Sequence, residues 1–177
     1  MKKYLLVCLL ISCISAQAQY VEGKLTLNGK SKTSLELDSN SAVRLFKDFN
    51  SGKYRLQLSF DGKDLVKNLN KEAIIFFNFR TVVKKDGKLV KNVIRKHPIP
   101  YFPGEYSIPA EAFDFVGLLA SDPQEEEVLQ MMKEGTLGLM PAGEYSIELT
   151  VLPIGIKGKI APVAFNFYGR KRPGKVK

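Results

Sequence analysis

The chain is poor in the side chains that most enzymes and metal sites use. It has no tryptophan, one histidine, His97, and two cysteines, Cys8 and Cys13, both within the first 18 residues. Beyond residue 18 there is no thiol for a disulfide, a thiolate metal site or a cysteine nucleophile. A Ser-His-Asp triad would have to use His97, which lies between a basic pair and a proline, and no GxSxG motif accompanies it.

Motifs for nucleotide chemistry are also lacking. No P-loop or GxGxxG pattern occurs, and GIKGK at Gly155–Lys159 falls short of one. A glycosidase needs only two carboxylates, which Glu111, Asp114 or the run Glu125–Glu127 could supply. The lack of tryptophan weakens any sugar-stacking platform, and acids in that run suit the first turn of a helix. We therefore expect a protein that is not an enzyme and holds no cofactor or metal.

Residues 1–18 have the layout of a secretory signal peptide. The positive start MKK precedes the apolar run YLLVCLLISCIS, and Ala16–Ala18 supplies small residues for cleavage before Gln19. The run is too short to span a bilayer permanently. LISC at Leu10–Cys13 also resembles the lipobox of bacterial lipoproteins, but the stretch before the cysteine is short. We expect an exported protein of the periplasm, free or associated with the outer membrane.

Positive charge is concentrated at the C-terminal end of a chain whose formal charge is +9. The tail at residues 169–177, GRKRPGKVK, holds five cations and no acid. In an exported protein such a tail predicts contact with anionic lipid, lipopolysaccharide or an acidic protein surface, not with nucleic acid. Its candidate contact residues are Arg170, Lys171 and Arg172, and the alternative is a solvated end.

Alternation with a period of two dominates residues 19–168 and predicts strands with one wet and one buried face. The segments YRLQLSF, YSIELTV, KLTLNG, TSLELDS and APVAFNFYG all follow it. The almost continuous apolar segment Ala73–Val83 predicts a central strand. Asp86-Gly87 predicts the hairpin turn that returns the chain as LVKNVIRK.

One segment, SDPQEEEVLQMMKEG, predicts a short helix. Ser121 or Asp122 serves as the N-cap, Pro123 is the first helical residue and Gly135 ends the helix. The segments KDLVKNLNKEA and EAFDFVGLLA fit a strand, a turn or a helix equally. About eight strands and one helix predict a single all-β domain over residues 19–168, arranged as a β-sandwich.

The pentapeptide GEYSI occurs twice, at Gly104–Ile108 and Gly143–Ile147. The second copy, in LMPAGEYSIELTV, has the layout of a tyrosine corner, in which a tyrosine at a strand start bonds to the backbone of the preceding connection. It resembles the start of the F strand in fibronectin type III and immunoglobulin-like domains. The resemblance implies an immunoglobulin-like antiparallel sandwich, with structural roles for Pro141, Gly143 and Tyr145.

The first copy of GEYSI follows Pro103, and Pro103-Gly104 predicts a type II turn. After Ile108 the two sequences diverge, whereas a duplicated unit would show similarity over tens of residues. We therefore interpret the repeat as one structural solution used twice. Two identical ligand-binding turns are the alternative.

The second half of the chain has a wider resemblance. PIPYFPGEYSIP, then AFDF, then EGTLGLMPAGEYSIELTV resembles exported β-sandwich proteins of bacteria with type IX secretion and gliding machinery, and the AQAQ sequence of the signal peptide suits them too. The C-terminal sorting domain of type IX cargo is not apparent. The resemblance implies an accessory or plug subunit of an outer-membrane secretion channel. The alternative is a module that binds glycans or lipopolysaccharide.

Two apolar segments outside the predicted strands, HPIPYFPGEY and TVLPIGIKGKIAP, are candidate partner-binding loops. Apolar loops on a rigid scaffold often mark partner sites. Their large apolar side chains are Ile99, Tyr101, Phe102, Ile154 and Ile156. We predict that these contact an outer-membrane or periplasmic protein. The alternative is that the loops fold over the open ends of the sandwich.

Overall fold

Two β-sheets make up most of the part of the chain that the structure describes. It is a computed structural model, and it describes residues 19–37, 41–95, 97–113 and 138–169. The ten strands are β1 (Tyr20–Leu27), β2 (Lys32–Ser34), β3 (Leu56–Lys63), β4 (Ile75–Lys85), β5 (Lys88–Ile94), β6 (Ile99–Tyr101), β7 (Gly104–Ile108), β8 (Gly143–Pro153), β9 (Lys157–Ala161) and β10 (Val163–Gly169). One α-helix, α1 (Ala42–Asn50), and a 3-10 turn at Ala110–Ala112 complete the elements.

The strands form two mixed sheets. Sheet I has the order β7-β3-β1-β9, and sheet II has the order β2-β10-β8-β4-β5, with β6 also paired to β4. Strand β1 runs parallel to β9, and β2 runs parallel to β10. The prediction of an antiparallel sandwich is therefore wrong in this respect. The strands of a parallel pair are far apart in the chain and are not joined by a hairpin turn, so the sequence carries no local signal of their pairing.

The predicted alternation is confirmed in the strands that enclose the core. Strand β3 buries Leu56, Leu58 and Phe60, whereas Gln57 is exposed and Ser59 is partly exposed. Strands β8 and β10 likewise alternate between buried positions and positions that are partly or fully exposed. The two sheets meet through these faces. The centroids of the Phe60 ring in sheet I and the Phe77 ring in sheet II lie 4.9 Å apart, in an edge-to-face geometry. The core is therefore built by side chains from both sheets.

The helix α1 was not predicted. Ser41 caps it by accepting a hydrogen bond from the Arg44 amide at 3.3 Å, and Leu45 and Phe49 turn into the core. Its first turn holds no acidic residue, and it spans only nine residues, so the usual signals of a helix start are weak. The helix predicted at residues 121–135 lies outside the described residues.

The hairpin of β4 and β5 is confirmed. Asp86 and Gly87 both have positive φ, 50° and 75°, as a type I′ turn requires. The pairing continues from Lys85↔Lys88 to Arg80↔Ile94, with an irregularity between Val83 and Lys84. The turn therefore sets the register of the edge of sheet II.

Three other predicted segments differ from regular strands. In TSLELDS, of which the structure describes residues 33–37, Thr33 and Ser34 belong to β2 and the next three residues have no regular structure. KDLVKNLNKEA contributes only Lys63 to β3 and then forms an irregular connection. EAFDFVGLLA begins within the 3-10 turn, and from Asp114 onwards it lies outside the described residues.

Both copies of GEYSI start a strand with the same backbone geometry. Gly104 opens β7 and Gly143 opens β8, each with φ of 150°, a conformation that side-chain-bearing residues rarely adopt. A type II turn would place Gly104 near 80°, so that prediction is wrong. The copies lie in different sheets, β7 at the edge of sheet I and β8 inside sheet II. The repeat is one local geometry used in two places.

Tyr145 makes the hydrogen bond expected of a tyrosine corner. Its hydroxyl donates to the Pro141 carbonyl oxygen at 2.9 Å, and its ring stacks on Phe167 with centroids 5.1 Å apart. Burial raises the pKa of the Tyr145 phenol, and the nearby Asp86 carboxylate raises it further. The corner joins the segment before β8 to the end of the core.

Replacing Tyr145 with Phe should lower the free energy of unfolding by about 1 kcal/mol, because one intramolecular hydrogen bond is lost while the ring stays packed. Urea denaturation measures the change. The matched control is Tyr168→Phe, since Tyr168 is exposed, and it should leave stability almost unchanged. Equal losses in the two variants would contradict the assigned role of the Tyr145 hydroxyl.

Candidate partner-binding surfaces

The structure brings the two predicted apolar segments to the same end of sheet II. The first residues of β4 lie between them, because Ile75 pairs with Tyr101 of β6 while Phe77 pairs with Pro153 of β8. Beyond β8, the Ile154 amide donates to the Phe76 carbonyl oxygen at 2.9 Å. The start of β4 is thus the strand that unites the two segments.

Part of the first segment is a strand and not a loop. Residues Ile99–Tyr101 form β6, and Tyr101 turns inward to an aromatic cluster, 5.0 Å from Tyr106 and 6.3 Å from Phe77 between ring centroids. Ile99 and Ile156 are also partly buried against the core. These three side chains therefore support the scaffold, in line with the alternative left open by the sequence.

Phe102 and Ile154 remain as exposed members of the predicted set, at 44% and 40% of their full surface. Phe102 directly follows the Ile75–Tyr101 pair, next to the exposed Ile74. Ile154 borders a shallow cleft of about 100 Å³ that Val66, Ile74 and Phe76 also line. We call Val66, Ile74, Phe76, Phe102 and Ile154 the apolar end.

Sequence reasoning missed Val66, Ile74 and Phe76. The almost continuous apolar segment Ala73–Val83 predicts a central strand without distinguishing its faces, whereas β4 alternates between buried and less buried positions. The even-numbered positions of this segment offered a usable signal of exposure. Ile74 and Phe76 share the strand face of Asn78 and Arg80, which are polar. Val66 lies in a connection of irregular structure, where no periodicity marks a side chain as exposed.

A polar groove crosses the outer face of sheet I. Adjacent strands align Lys24 with Ser59, Ser59 with Glu105, and Gln57 with Ser107. The groove has a volume of about 410 Å³. Its lining carries hydroxyl, amide, ammonium and carboxylate groups, which can donate and accept hydrogen bonds.

Side chains suited to metal binding do not gather in the described residues. There, no set of three or more His, Cys, Asp or Glu side chains is placed to hold a metal ion. His97 lies exposed in the connection before β6. In the same ranges, no helix has the length and apolar character needed to cross a membrane. The tail residues Arg170, Lys171 and Arg172 lie outside the described residues.

No protein-family model, curated protein or solved structure matches this chain.

The structural role of Tyr101 predicts a pH effect. Burial raises the pKa of its phenol, and the neighbouring Tyr106 adds to the rise while Arg95 opposes it. The unfolded phenol titrates near pH 10, so the stability contribution is complete below about pH 10 and declines as pH rises through the elevated folded pKa. Tyr101→Phe should therefore lose less stability than the wild type between about pH 9 and about pH 11. Urea denaturation at both pH values tests this, and parallel losses would contradict it.

Proposed function

We propose that this protein is a non-enzymatic, exported binding module of the bacterial envelope that docks onto another protein through its apolar end. The supporting observation is the exposure of five large apolar side chains around the start of β4, each between 40% and 71% exposed. Exposed apolar groups gathered at one site favour a protein interface, since burying them releases ordered water. The polar residues elsewhere on the outer strands suit contact with solvent.

The rigidity of the site supports this proposal. Four of the five residues of the apolar end sit on β4 or beside strands paired to it, and Tyr101 and Phe77 pack directly beneath. A surface held by a packed core loses little conformational entropy on binding. The tyrosine corner at Tyr145 supports an immunoglobulin-like arrangement of the domain, whose mixed sheets depart from the purely antiparallel form.

The proposed partner is a large outer-membrane or periplasmic protein, and the specific role is that of an accessory or plug subunit of a type IX-like secretion channel. Two sequence features support the compartment: the signal peptide at residues 1–18 and the resemblance of the second half to envelope proteins of such bacteria. Within residues 19–177 the chain has no cysteine, so its fold needs no oxidant after export.

Replacing Phe76 and Ile154 with Ser should abolish partner recovery, because it removes two neighbouring apolar contacts from the apolar end. The tagged full chain is retrieved from mildly solubilised envelopes, and co-purifying proteins are quantified by mass spectrometry. The matched control replaces Val43 and Tyr168 with Ser; both are at least as exposed as Phe76 and Ile154 but lie elsewhere. Both variants are checked for folding by thermal denaturation. Tyr101 is not replaced in this test, because its ring packs against Tyr106 and Phe77 and its loss would confound binding with stability.

We expect the wild type and the control to retain one large envelope protein in a fixed ratio, and the Phe76→Ser/Ile154→Ser variant to lose it. Retention by all three proteins would contradict docking through the apolar end. Retrieval of the wild-type protein without any co-purifying protein would contradict the subunit role and leave the second candidate function.

The second candidate is a glycan- or lipopolysaccharide-binding module, and the polar groove on sheet I favours it. Sugar hydroxyls can pair with groups such as Lys24, Gln57 and Ser59, and the basic tail at residues 169–177 would attract anionic headgroups. Lys24→Ala/Gln57→Ala should then reduce retention on immobilised lipopolysaccharide, while Lys47→Ala/Asn50→Ala on α1 should not. Removal of residues 169–177 should abolish the salt-sensitive part of this retention. A wild-type protein that is not retained at all would exclude this candidate.

A further inference from the structure

Strand β5 is an unusual sheet edge. Among the described residues, the sheets end at β7, β9, β2 and β5. The first three span only five, five and three residues, whereas β5 spans seven. Four of its side chains are large, apolar and 42–61% exposed: Leu89, Val90, Val93 and Ile94. Proteins usually avoid a long apolar edge strand, because it offers a template for another strand.

The hydrogen-bond pattern shows which backbone groups of β5 face its open edge. The Arg95 amide donates to the Phe79 carbonyl oxygen at 2.8 Å, and the register runs from this pair through Val93 and Lys91. In an antiparallel pair, alternate residues direct their N–H and C=O groups toward the partner strand. Val93 and Lys91 therefore bond to β4, and Asn92 and Ile94 direct their backbone groups away from it.

Charge indicates the kind of strand that would fit. From Lys88 to Arg95 the sequence KLVKNVIR contains three cations and no acid, and Lys84 and Lys85 of β4 lie beside it. Pairing β5 with β5 of a second copy would bring like charges together, which destabilises a sheet. An acidic strand would instead gain opposite-charge pairs along the same edge.

We propose that the open edge of β5 binds an extended, acidic segment of another protein as an additional strand of sheet II. Backbone bonds to Asn92 and Ile94 would supply affinity, and the apolar and cationic side chains of β5 would select alternating apolar and acidic residues. This site uses no residue of the apolar end. It therefore goes beyond the proposed function and stands or fails independently of it.

Amide hydrogen exchange of the full chain, resolved by NMR, tests the site directly. The probe is a short synthetic peptide of alternating valine and glutamate. In the free protein, the Asn92 and Ile94 amides should exchange fast and the Lys91 and Val93 amides slowly. Saturating peptide should protect Asn92 and Ile94 at least about tenfold. The matched probe is the same peptide with every backbone amide methylated, which keeps the side chains but removes the donors on both edges, and it should give no protection.

Variants separate strand addition from general attraction. Ile94→Pro removes an outward donor and no bond to β4, so it should weaken peptide binding by at least about tenfold. Ile94→Ala keeps the donor and should bind within about threefold of the wild type. Lys88→Glu/Lys91→Glu should weaken binding more at low salt than at high salt. Titration by fluorescence anisotropy measures all three against the wild type.

Several outcomes would overturn the proposal. Slow exchange of Asn92 and Ile94 in the free monomer would mean that this chain already covers the edge. Protection that rises with protein concentration would assign the edge to a second copy. Equal binding of the methylated peptide, or no binding of either peptide, would exclude strand addition. None of these results tests the apolar end, because the two sites share no residue. The Phe76→Ser/Ile154→Ser variant, which tests the apolar end, leaves β5 unchanged.

Discussion

The two-residue alternation of β4 is the constraint on which the rest of the structure depends. Its eleven residues send Phe77, Phe79, Thr81 and Val83 into the core and Phe76, Asn78 and Arg80 to the opposite face. A shift of one residue would exchange the two faces, so the register is strongly determined. The Thr81 hydroxyl adds a specific contact, since it donates to the Phe113 carbonyl oxygen at 2.7 Å inside the core. Both proposed binding surfaces are consequences of where this strand lies.

Strand β4 also pairs with different strands on its two sides. On one side β8 pairs with it from Phe77 to Lys85; on the other side β6 and β5 follow each other along its length. The apolar end forms where β6 and β8 meet the start of β4, and the open edge forms where β5 has no further neighbour in the described residues. One scaffold thus offers an apolar surface and a hydrogen-bonding edge, which would suit a subunit with more than one envelope contact.

Local signals explain what could be predicted from the sequence. The Asp86-Gly87 hairpin, the alternating strands and the hydrogen bond of Tyr145 each follow from a few consecutive residues, and the structure contains them. The parallel pairs and the strand β6 depend on residues distant in the chain, which periodicity does not report. The exposure of Phe76, in contrast, follows from its place on the same face of β4 as the polar Asn78 and Arg80. Helix α1 was missed because its first turn has no acidic residue. Of the candidate site, Phe102 and Ile154 are exposed, as the predicted partner contact requires, whereas the Tyr101 ring packs inward, in line with the alternative that the loop folds over the sandwich.

We propose that a partner protein covers the apolar end in the cell. The most direct measurement is site-specific photo-crosslinking, with a photoreactive phenylalanine analogue in place of Phe76 and, in a separate strain, in place of Tyr168. We expect one high-molecular-weight adduct with an envelope protein from position 76 and none from position 168. Crosslinks from position 168 alone, or from neither position, would contradict it.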